Sequence, residues 1–567
     1  MSAFHDQTRP SAAVIGFAVA VAAFLAAFLV YPFLHVIKAA FLVDGEFTLA
    51  HFRTVFLDNP VHRLSLTNSL LLALSTTALT SVVALPLAII GVRYRFPGKR
   101  WVSALLLLPL IMPPFVGAVG IKRMLARGGS LNLILVEHLK VLDEGIDILG
   151  AGGFWAIAGL QVLHLFPIMY LNVAAALGNV DPSMEEAARN TGDHGLGLFR
   201  KITFPLMLPG YFAGAVLVFI WSFTDLGTPL IFGYRNVVPV RIFENLQQID
   251  INPIAYALVV VVAVASCMAF VLGRRLVARS QGAMVLKGGS SATERPLPRW
   301  AWGPVWIALL LLSCCALLPH ISVIITSVAR QWSDTVLPTE YTLQHYVTIL
   351  NHELTIRSVK NSLMLAAGST FLDVLLGVGI AYIIVRKRFP GIEVLDTLAM
   401  LPLALPGIVI AFGYVTCYQN TFLDARRNPF PLLMIAYGVR RLPYMVRATA
   451  AGFQQASPTL EEAALNVGAP PGRALLRITI PLIMANILAG TVLAFSFAML
   501  EVSDSLVLAY DRQHYPLTKA IYQLATFLSQ GEYLGSALGV VAMGLLAVTL
   551  IITHVLLGKR MGVIFRV

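Results

Sequence analysis

Ionisable side chains within long apolar segments are the residues most able to do chemistry in this sequence. Asp225 and Glu501 each interrupt an apolar run, and the pair Arg440 and Arg441 interrupts another. A charge inside a bilayer is costly, so such residues usually face a protein interior or a water-filled passage. We therefore predict that these four side chains line a path for a polar solute. The acids favour a cationic solute, whereas the arginines leave contact with an anion open.

Each of these residues also has a plainer interpretation. Both acids could be water-exposed groups at helix ends or partners of an arginine. The two arginines could pair with Glu501 or Asp504, and this is the interpretation that we favour for them. A further acid, Asp373, stands alone in its apolar run, and we predict no role for it.

Two short polar segments form a second group of candidate functional residues, and they are copies of each other. Each contains two glutamates, then two alanines, then a glycine four residues further on. Asp181-Pro182 and Ser457-Pro458 precede them, and both offer a capping side chain followed by proline at the first helical position. We predict that each segment starts a short helix and turns sharply at its glycine. The residues concerned are Glu185, Glu186, Ala187, Ala188 and Gly192 in the first copy, and Glu461, Glu462, Ala463, Ala464 and Gly468 in the second.

The sequence lacks the residues of a nucleotide-hydrolysing or catalytic site. A phosphate-binding Gly-x4-Gly-Lys-Ser/Thr loop is absent, because Gly98-Lys99 and Gly558-Lys559 are each followed by arginine and lack the upstream glycine. Paired carboxylates, His-x3-His spacing and a nucleophile with its base are also missing from any soluble domain. We predict no catalytic residue, no metal site and no cofactor bound by this chain.

The composition is that of a membrane protein. Of the 567 residues, 57% are hydrophobic and only 12% are charged, and the mean hydropathy is +0.78. A soluble domain has about 25% charged residues. The formal net charge of +12 does not indicate nucleic acid, because lysine and arginine cluster at the ends of apolar runs, as they do in cytoplasmic loops.

Apolar runs of about 20 residues or more predict about twelve transmembrane helices in two sets of six. The run at the N-terminus is too long for a typical signal-peptide core and lacks a convincing cleavage site, so we assign it as the first membrane helix. The predicted helices are 11–40, 67–92, 101–125, 154–178, 206–232 and 253–277 in the first set, and 302–329, 360–385, 394–418, 430–452, 482–509 and 533–558 in the second.

The two sets of helices are repeats of each other. Arg95-Phe96-Pro97-Gly98 matches Arg388-Phe389-Pro390-Gly391, and a second register begins at Pro167 against Pro443 and continues through both polar segments. Six helices in each half give both halves the same orientation in the membrane. The repeats are therefore predicted to be parallel, unlike the inverted repeats of many secondary transporters.

Basic loops predict the orientation of the chain. Arginines and lysines concentrate at 93–100 and at 386–388, between the second and third helices of each half. If these loops are cytoplasmic, then both termini and both polar segments are cytoplasmic too. The predicted organisation is a first transmembrane half at 1–280 with its polar loop at 181–210, a cytoplasmic linker at 281–300, and a second half at 301–567 with its polar loop at 457–486.

The two polar segments resemble the EAA loop of ABC-importer permeases. That pattern is Glu-Ala-Ala, three residues, Gly, nine residues, then Ile-x-Leu-Pro, and the only departures are Phe204 and Ile480 in place of leucine. In that family the loop contains a coupling helix that docks into a groove on the ATP-hydrolysing subunit. The resemblance implies that the ten residues named above couple this chain to an ATPase. The alternative is a pair of ordinary amphipathic loop helices.

The whole chain resembles a fused two-half permease of the ferric-iron importer type. This resemblance implies an all-α membrane fold like that of type I ABC importers, in a bacterial inner membrane. It also implies two copies of an ABC ATPase subunit that hold ATP and magnesium, a periplasmic substrate-binding protein and surrounding membrane lipid, with no nucleic acid. Ferric iron is the preferred substrate; thiamine, a polyamine and 2-aminoethylphosphonate remain alternatives. A gradient-driven secondary transporter is the more remote alternative.

Overall fold

The computed structural model describes residues 11–43, 45–111, 114–150, 153–246, 253–281, 294–527 and 530–557. Nearly all regular structure in these ranges is helical, which confirms the predicted all-α fold. The strands that they contain form short two-stranded pairs: Leu42–Val43 with Glu46–Phe47, Tyr94–Arg95 with Arg295–Pro296, and Ala329–Gln331 with Glu340–Tyr341.

The first half consists of long helices joined by short helical pieces. In chain order its helices are Ala12–Leu25, Ala26–Val30, Tyr31–Phe41, Ala50–Arg53, Thr54–Asp58, Pro60–Arg93, Lys99–Leu107, Leu108–Ile111, Pro114–Leu125, Ser130–Leu133, Ile134–His138, Gly153–Gly178, Pro182–Asn190, Gly195–Leu198, Phe199–Thr203, Phe204–Phe223, Gly227–Phe232, Val238–Leu246 and Ile254–Gln281.

The second half repeats this order. Its helices are Arg299–Val328, Gln344–Asn351, Glu353–Arg386, Ile392–Met400, Leu401–Leu403, Gly407–Cys417, Phe430–Gln455, Thr459–Asn466, Pro471–Ala474, Leu475–Thr479, Ile480–Leu482, Met484–Met499, Ser503–Leu508, Arg512–His514, Leu517–Phe527 and Gly531–Leu557.

The longest helices of the two halves match in length and in the turn that follows them. Pro60–Arg93 and Glu353–Arg386 both have 34 residues. Each is followed by the repeated Arg-Phe-Pro-Gly turn, in which Gly98 and Gly391 adopt positive φ angles of 76° and 99°. Only glycine adopts this conformation at little cost, so the repeated glycine fixes the same turn in both halves.

The predicted count of twelve membrane helices is not confirmed. Within the described ranges, eight helices are long and apolar enough to cross a membrane, and ten if each of two sharply bent pairs is one span. Phe430–Gln455 has 26 residues but includes three arginines, which lower its hydropathy. The predicted helix 101–125 includes residues 112–113, which lie outside the described ranges.

Prolines break the third predicted helix of the second half. The prediction was one helix at 394–418, but Ile392–Leu403 and Gly407–Cys417 meet at an angle of 102°. Pro402 and Pro406 lie at this bend, and a proline inside a helix removes a backbone hydrogen bond and clashes with the preceding turn. The segment around Pro406 lines a cavity together with residues of both halves.

The helices predicted at 206–232 and 482–509 are also interrupted. The first ends at Phe223 and resumes as Gly227–Phe232, and the second ends at Met499 and resumes as Ser503–Leu508. Asp225 and Glu501 lie in these two breaks. Broken helices at membrane depth are tolerated where they line a cavity or are buried in protein.

The first helix of each half packs against the other half. Tyr31–Phe41 packs on Gly407–Cys417, while Arg299–Val328 packs on Pro114–Leu125. Two tyrosines extend the first of these contacts: Tyr414 donates to the carbonyl of Phe28 over 2.5 Å, and Tyr418 donates to the carbonyl of Ala27 over 2.7 Å. One large hydrophobic core therefore joins the two halves.

Large apolar side chains cover the outside of the helix bundle. Val82 is 70% exposed, Phe371 is 72% exposed and Leu311 is 62% exposed, although all three lie in the middle of long helices. Exposed apolar patches on this scale are unusual in soluble monomers and mark contact with a membrane or a partner. These faces fit the lipid-facing surface expected from the composition.

Candidate functional site

The first polar segment forms a short helix, Pro182–Asn190, which we call the first loop helix. The Asp181 side chain caps it, because Asp181 Oδ1 accepts a hydrogen bond from the Ser183 amide over 2.9 Å. Pro182 occupies the first turn, as predicted. The second loop helix, Thr459–Asn466, follows Ser457, whose hydroxyl accepts from the Thr459 amide over 3.3 Å.

Both loop helices end at the predicted glycine. Gly192 has a φ of +97° and Gly468 has a φ of +86°. Each glycine amide donates to the carbonyl three residues earlier, and the next amide donates to the carbonyl five residues earlier, at 3.0 Å in all four cases. This pattern is the Schellman motif, which reverses the chain and satisfies the last carbonyls of a helix. The sharp turn is confirmed in both copies.

The first glutamate of the first loop helix is anchored to the membrane helices. Glu185 is 6% exposed. Its Oε1 accepts hydrogen bonds from Arg93 Nη2 over 2.6 Å and from Thr203 Oγ1 over 2.9 Å. Arg93 ends one membrane helix, and Thr203 immediately precedes another. Glu185 therefore links the loop helix to two membrane helices.

The second half repeats this anchor. Glu461 Oε1 accepts from Arg386 Nε over 3.2 Å and from Thr479 Oγ1 over 2.9 Å. Both partners occupy the positions that match those in the first half. Corresponding Glu, Arg and Thr side chains therefore hold each loop helix to its own half.

The remaining residues predicted to contact an ATPase divide into exposed and buried sets. Ala188 and Ala464 are both 8% exposed and pack inward. The exposed members, which a partner can reach directly, are Glu186, Ala187, Gly192, Ala463 and Gly468, and Glu462 is half-buried. Contact of these residues with a partner stays a prediction.

The four ionisable residues predicted to line a path meet at one cavity. This cavity has a volume of about 230 Å³ and lies between the two halves. Its walls include Asp225 from the first half and Arg440, Arg441 and Glu501 from the second. The broken segment around Pro406 forms another wall. Their role in translocation stays a prediction.

Arg440 and Arg441 form a compact ion-pair network with two acids. Arg440 Nη1 donates to Glu501 Oε1 over 2.6 Å and to Asp504 Oδ2 over 3.1 Å. Arg441 Nη2 donates to Glu501 Oε2 and, over 2.9 Å, to the carbonyl of Phe497. The side chain of Arg440 is 24% exposed, while those of the other three charged residues are 6% exposed or less. The pairing that the sequence favoured is present.

Asp225 has a different environment from its counterpart Glu501. Its Oδ2 accepts from Gln161 Nε2 over 3.0 Å, and its Oδ1 accepts from the amides of Gly227 and Thr228 over 3.1 and 3.4 Å. No arginine or lysine pairs with it among the described residues. Asp225 therefore caps a helix break at the cavity wall.

The ion-pair network together with Asp225 has more carboxylates than guanidiniums. Two arginines face Glu501, Asp504 and Asp225, so the five groups sum to one negative charge when all are ionised. The arginines are occupied by the first two acids, and Asp225 is the acid without a cationic partner in the described part of the chain. Such an arrangement can attract a cation at Asp225. It can bind an anion only if Arg440 and Arg441 break their ion pairs with Glu501 and Asp504.

Sequence reasoning missed Gln161 and Tyr437 as parts of this site. Gln161 is 2% exposed and binds Asp225, and Tyr437, at the matching position of the second repeat, hydrogen-bonds Ser505 over 2.5 Å. Both side chains reach the helix break of their own half. The sequence signal that could have found them is their shared position in the repeat, since both are polar residues at the register that matches Pro167 with Pro443.

Comparison with known proteins agrees with this architecture. A permease of Haemophilus influenzae named for ferric transport is 27% identical over 486 residues, which cover 84% of this chain and 75% of the relative. The ferric transport system permease protein of Actinobacillus pleuropneumoniae is 26% identical and covers 86% of this chain and 71% of the relative. A molybdate/tungstate transport system permease protein of Thermococcus kodakarensis is 26% identical, over 38% of this chain and 83% of the relative.

The family model for binding-protein-dependent transport system inner membrane components matches the chain twice, at residues 80–281 and 373–563. The two matches cover well over half of the sequence and coincide with the two structural repeats. The internal duplication predicted from the sequence is therefore confirmed. This chain belongs to the family of binding-protein-dependent transport system inner membrane components.

Proposed function

We propose that this chain is the transmembrane permease subunit of an ATP-driven importer that moves ferric iron into the cytoplasm by alternating access. Substrate would arrive from a periplasmic binding protein and pass through the central cavity. ATP and magnesium would be held by two copies of a separate ATPase subunit, one under each loop helix. In this arrangement both termini and the 281–300 linker are cytoplasmic, and lipid surrounds the apolar helix faces.

The observation that carries this proposal is the pair of loop helices, each anchored by a glutamate that accepts from an arginine and a threonine at matching positions. Glu185 and Glu461 each join a short exposed helix to the membrane helices of one half. A permease without its own nucleotide-binding loop needs contact sites through which a separate ATPase subunit can drive it. Two loop helices on one chain would provide one contact site for each of two ATPase subunits.

The preference for ferric iron rests on two further observations. Relatives that cover most of the chain are named for ferric transport. Asp225, at the cavity wall, lacks a cationic partner among the described residues, so it is available to a positively charged substrate.

An oxyanion substrate is the second candidate. Relatives that match about two-fifths of the chain are permeases named for molybdate and tungstate. Arg440 and Arg441 could supply the positive charge that such an anion requires. This alternative requires that the arginines exchange Glu501 and Asp504 for the substrate, which makes it less favoured than a cation. Thiamine, polyamines and 2-aminoethylphosphonate lack a comparable observation.

Reconstitution tests the proposed function. The purified chain would be inserted into liposomes with and without its partner ATPase, and uptake of radiolabelled ferric iron from the binding protein would be measured. We expect uptake only when the ATPase and ATP are both present. Uptake driven by an ion gradient with the chain alone would instead establish a secondary transporter, and ATP-driven uptake of molybdate but not iron would establish the second candidate.

Replacing Asp225 by asparagine should lower uptake of a cationic substrate about tenfold, since a charge-assisted contact is worth roughly 1.5–3 kcal/mol. Asparagine keeps an oxygen that can cap the amides of Gly227 and Thr228, so the helix break should survive. The initial rate of iron uptake in the reconstituted system measures the effect. Asp58→Asn, at a half-exposed acid away from the cavity, is the matched control. Full uptake by Asp225→Asn would remove the main structural reason to prefer a cation.

A further inference from the structure

A cavity beside the first loop helix contains three arginines. It has a volume of about 130 Å³, and its walls include Arg93, Arg189, Arg295 and Glu185. Arg93 ends a membrane helix, Arg189 lies in the last turn of the first loop helix, and Arg295 lies in the segment that leads into the second half. Three separate parts of the chain therefore bring a guanidinium to one small cavity.

The charges of this cavity do not balance. Glu185 is the only carboxylate among its lining residues, so three guanidiniums and one carboxylate leave two positive charges. Arg93 makes a close ion pair with Glu185, but Arg189 Nη2 is 3.7 Å from Glu185 Oε2, which is beyond hydrogen-bond distance. Arg295 has no acidic partner among the residues that the structure describes, because the neighbouring Glu294 pairs with Lys99 over 2.8 Å.

The cavity also has a hydrogen-bond donor without an acceptor. Arg93 Nε is buried and has no partner within the described ranges. A buried donor without an acceptor is costly, and such groups are rare unless a water or ligand completes them. Together with the donors of Arg189 and Arg295, this atom gives the cavity the character of an incomplete anion site.

The backbone that presents Arg295 is held in place. Arg295 and Pro296 pair in parallel with Tyr94 and Arg95, and the Leu297 amide donates to the carbonyl of Arg95 over 3.1 Å. Leu297 itself is 8% exposed. The two like charges of Arg93 and Arg295 are thus kept near each other by the fold, at an energetic cost that a bound anion would remove.

The second half shows that these extra arginines are not needed for the fold. Arg386 matches Arg93 and pairs with Glu461 in the same way. Leu465, however, stands at the position of Arg189, and within the described ranges no strand pairs with residues 387–388 as Arg295–Pro296 pairs with Tyr94–Arg95. One arginine is therefore sufficient to anchor a loop helix, and the two additional arginines of the first half require another explanation.

We propose that this cavity binds a phosphate-type oxyanion, supplied either by an anionic lipid headgroup or by a soluble phosphate compound. Guanidinium groups match the geometry of phosphate oxygens with paired hydrogen bonds. Basic pockets at the cytoplasmic ends of membrane helices are typical headgroup sites. The bound anion ties the linker, the end of Pro60–Arg93 and the first loop helix together. If the proposed function holds, anion binding would affect the ATPase contact of the first loop helix and not that of the second. The anion binding itself does not depend on the proposed function.

Binding can be measured on the full chain without any transport assay. The purified protein would be placed in nanodiscs of phosphatidylcholine alone, and its thermal unfolding midpoint followed while inorganic phosphate replaces chloride at constant ionic strength. A parallel series would use discs of phosphatidylcholine mixed with phosphatidylglycerol. We expect a saturable rise of the midpoint in one of the two series. A rise with phosphate identifies a soluble source, and a rise only with phosphatidylglycerol identifies the headgroup.

Variants make the site assignment specific. Arg189→Leu introduces the residue found at this position in the second half, and Arg295→Gln removes the exposed charge of the linker. For each variant, the anion concentration that gives half of the rise in unfolding midpoint should increase about tenfold, as expected for one lost charge-assisted contact. Arg388→Gln, in the corresponding loop of the second half, is the control and should respond like the wild type. Arg295 is exposed, so its replacement should not disturb folding. Arg295→Gln therefore tests the anion site even if Arg189→Leu folds poorly. No saturable response in either series, or equal responses in wild type and Arg295→Gln, would overturn the proposal.

Discussion

Replacing Glu501 by glutamine should destabilise the permease by about 3–5 kcal/mol, the usual cost of breaking a buried ion pair by removing one partner. Glu501 is 6% exposed and accepts hydrogen bonds from both Arg440 and Arg441. Without its charge, the two guanidiniums share Asp504 alone, and Arg441 is 3.9 Å from that acid. The thermal unfolding midpoint of the purified chain measures the effect.

A second substitution separates the charge effect from simple loss of packing. Glu501→Gln combined with Arg441→Met removes an acid and a base together, so the double variant should recover part of the lost stability. Asp511→Asn, at an acid that is 48% exposed, should leave the midpoint close to that of the wild type. An unfolding midpoint for Glu501→Gln equal to that of wild type would show that the network contributes little to stability.

Replacing both Gly192 and Gly468 by proline should abolish ATP-dependent uptake while leaving ATP hydrolysis by the assembled complex measurable. Proline fixes φ near −65° and has no amide hydrogen, whereas these glycines have φ angles of +97° and +86° and donate to the carbonyls of Arg189 and Leu465. The turn that ends each loop helix therefore cannot form. Uptake and hydrolysis measured on the same proteoliposomes give the coupling ratio.

Gly472→Ala is the matched control for this prediction. Gly472 lies on the second polar loop, a Cβ atom there meets nothing within 4 Å, and its φ is outside the left-handed region. Its coupling ratio should equal that of the wild type. If the double proline variant also imports substrate at the normal rate per ATP, the turns have no part in coupling.

The repeat and the loop helices could be predicted from the sequence because they depend on local signals. Proline, a capping side chain and glycine define each loop helix within a dozen residues, and identical letters in the two halves reveal the duplication. The all-α class followed from hydropathy alone. The number of membrane spans did not follow, because Arg440 and Arg441 make one long helix polar and because prolines bend another by 102°.

The helix breaks at Asp225 and Glu501 were not predicted, and the reason is physical. Hydropathy treats Phe223 to Leu230 as part of one apolar run, but the Asp225 carboxylate takes the amides of Gly227 and Thr228 and starts a new helix. The Asp225 side chain thus satisfies two backbone amides at the point where the helix is interrupted. Partners such as Gln161 lie 64 residues away from Asp225 in sequence, and only the packing of two helices brings them together.

The pairing of the arginines was predicted, but its detail was not. The sequence offered Glu501 and Asp504 as alternatives, whereas the structure uses both. Asp373 is isolated, as the sequence predicted: it is 1% exposed, and neither of its carboxylate oxygens has a hydrogen-bond partner among the described residues. The structure gives no further account of that side chain.

Site-specific cross-linking tests most directly whether the loop helices carry force from an external ATPase. In a chain whose four cysteines are replaced by serine, single cysteines would be placed at Ala187 and Ala463, with Val141, which is 68% exposed in a loop predicted on the opposite side, as the control. We expect both loop positions, and not Val141, to cross-link to the ATPase in the assembled complex. Failure of both loop positions to cross-link, or their labelling from the periplasmic side of intact cells, would contradict the account.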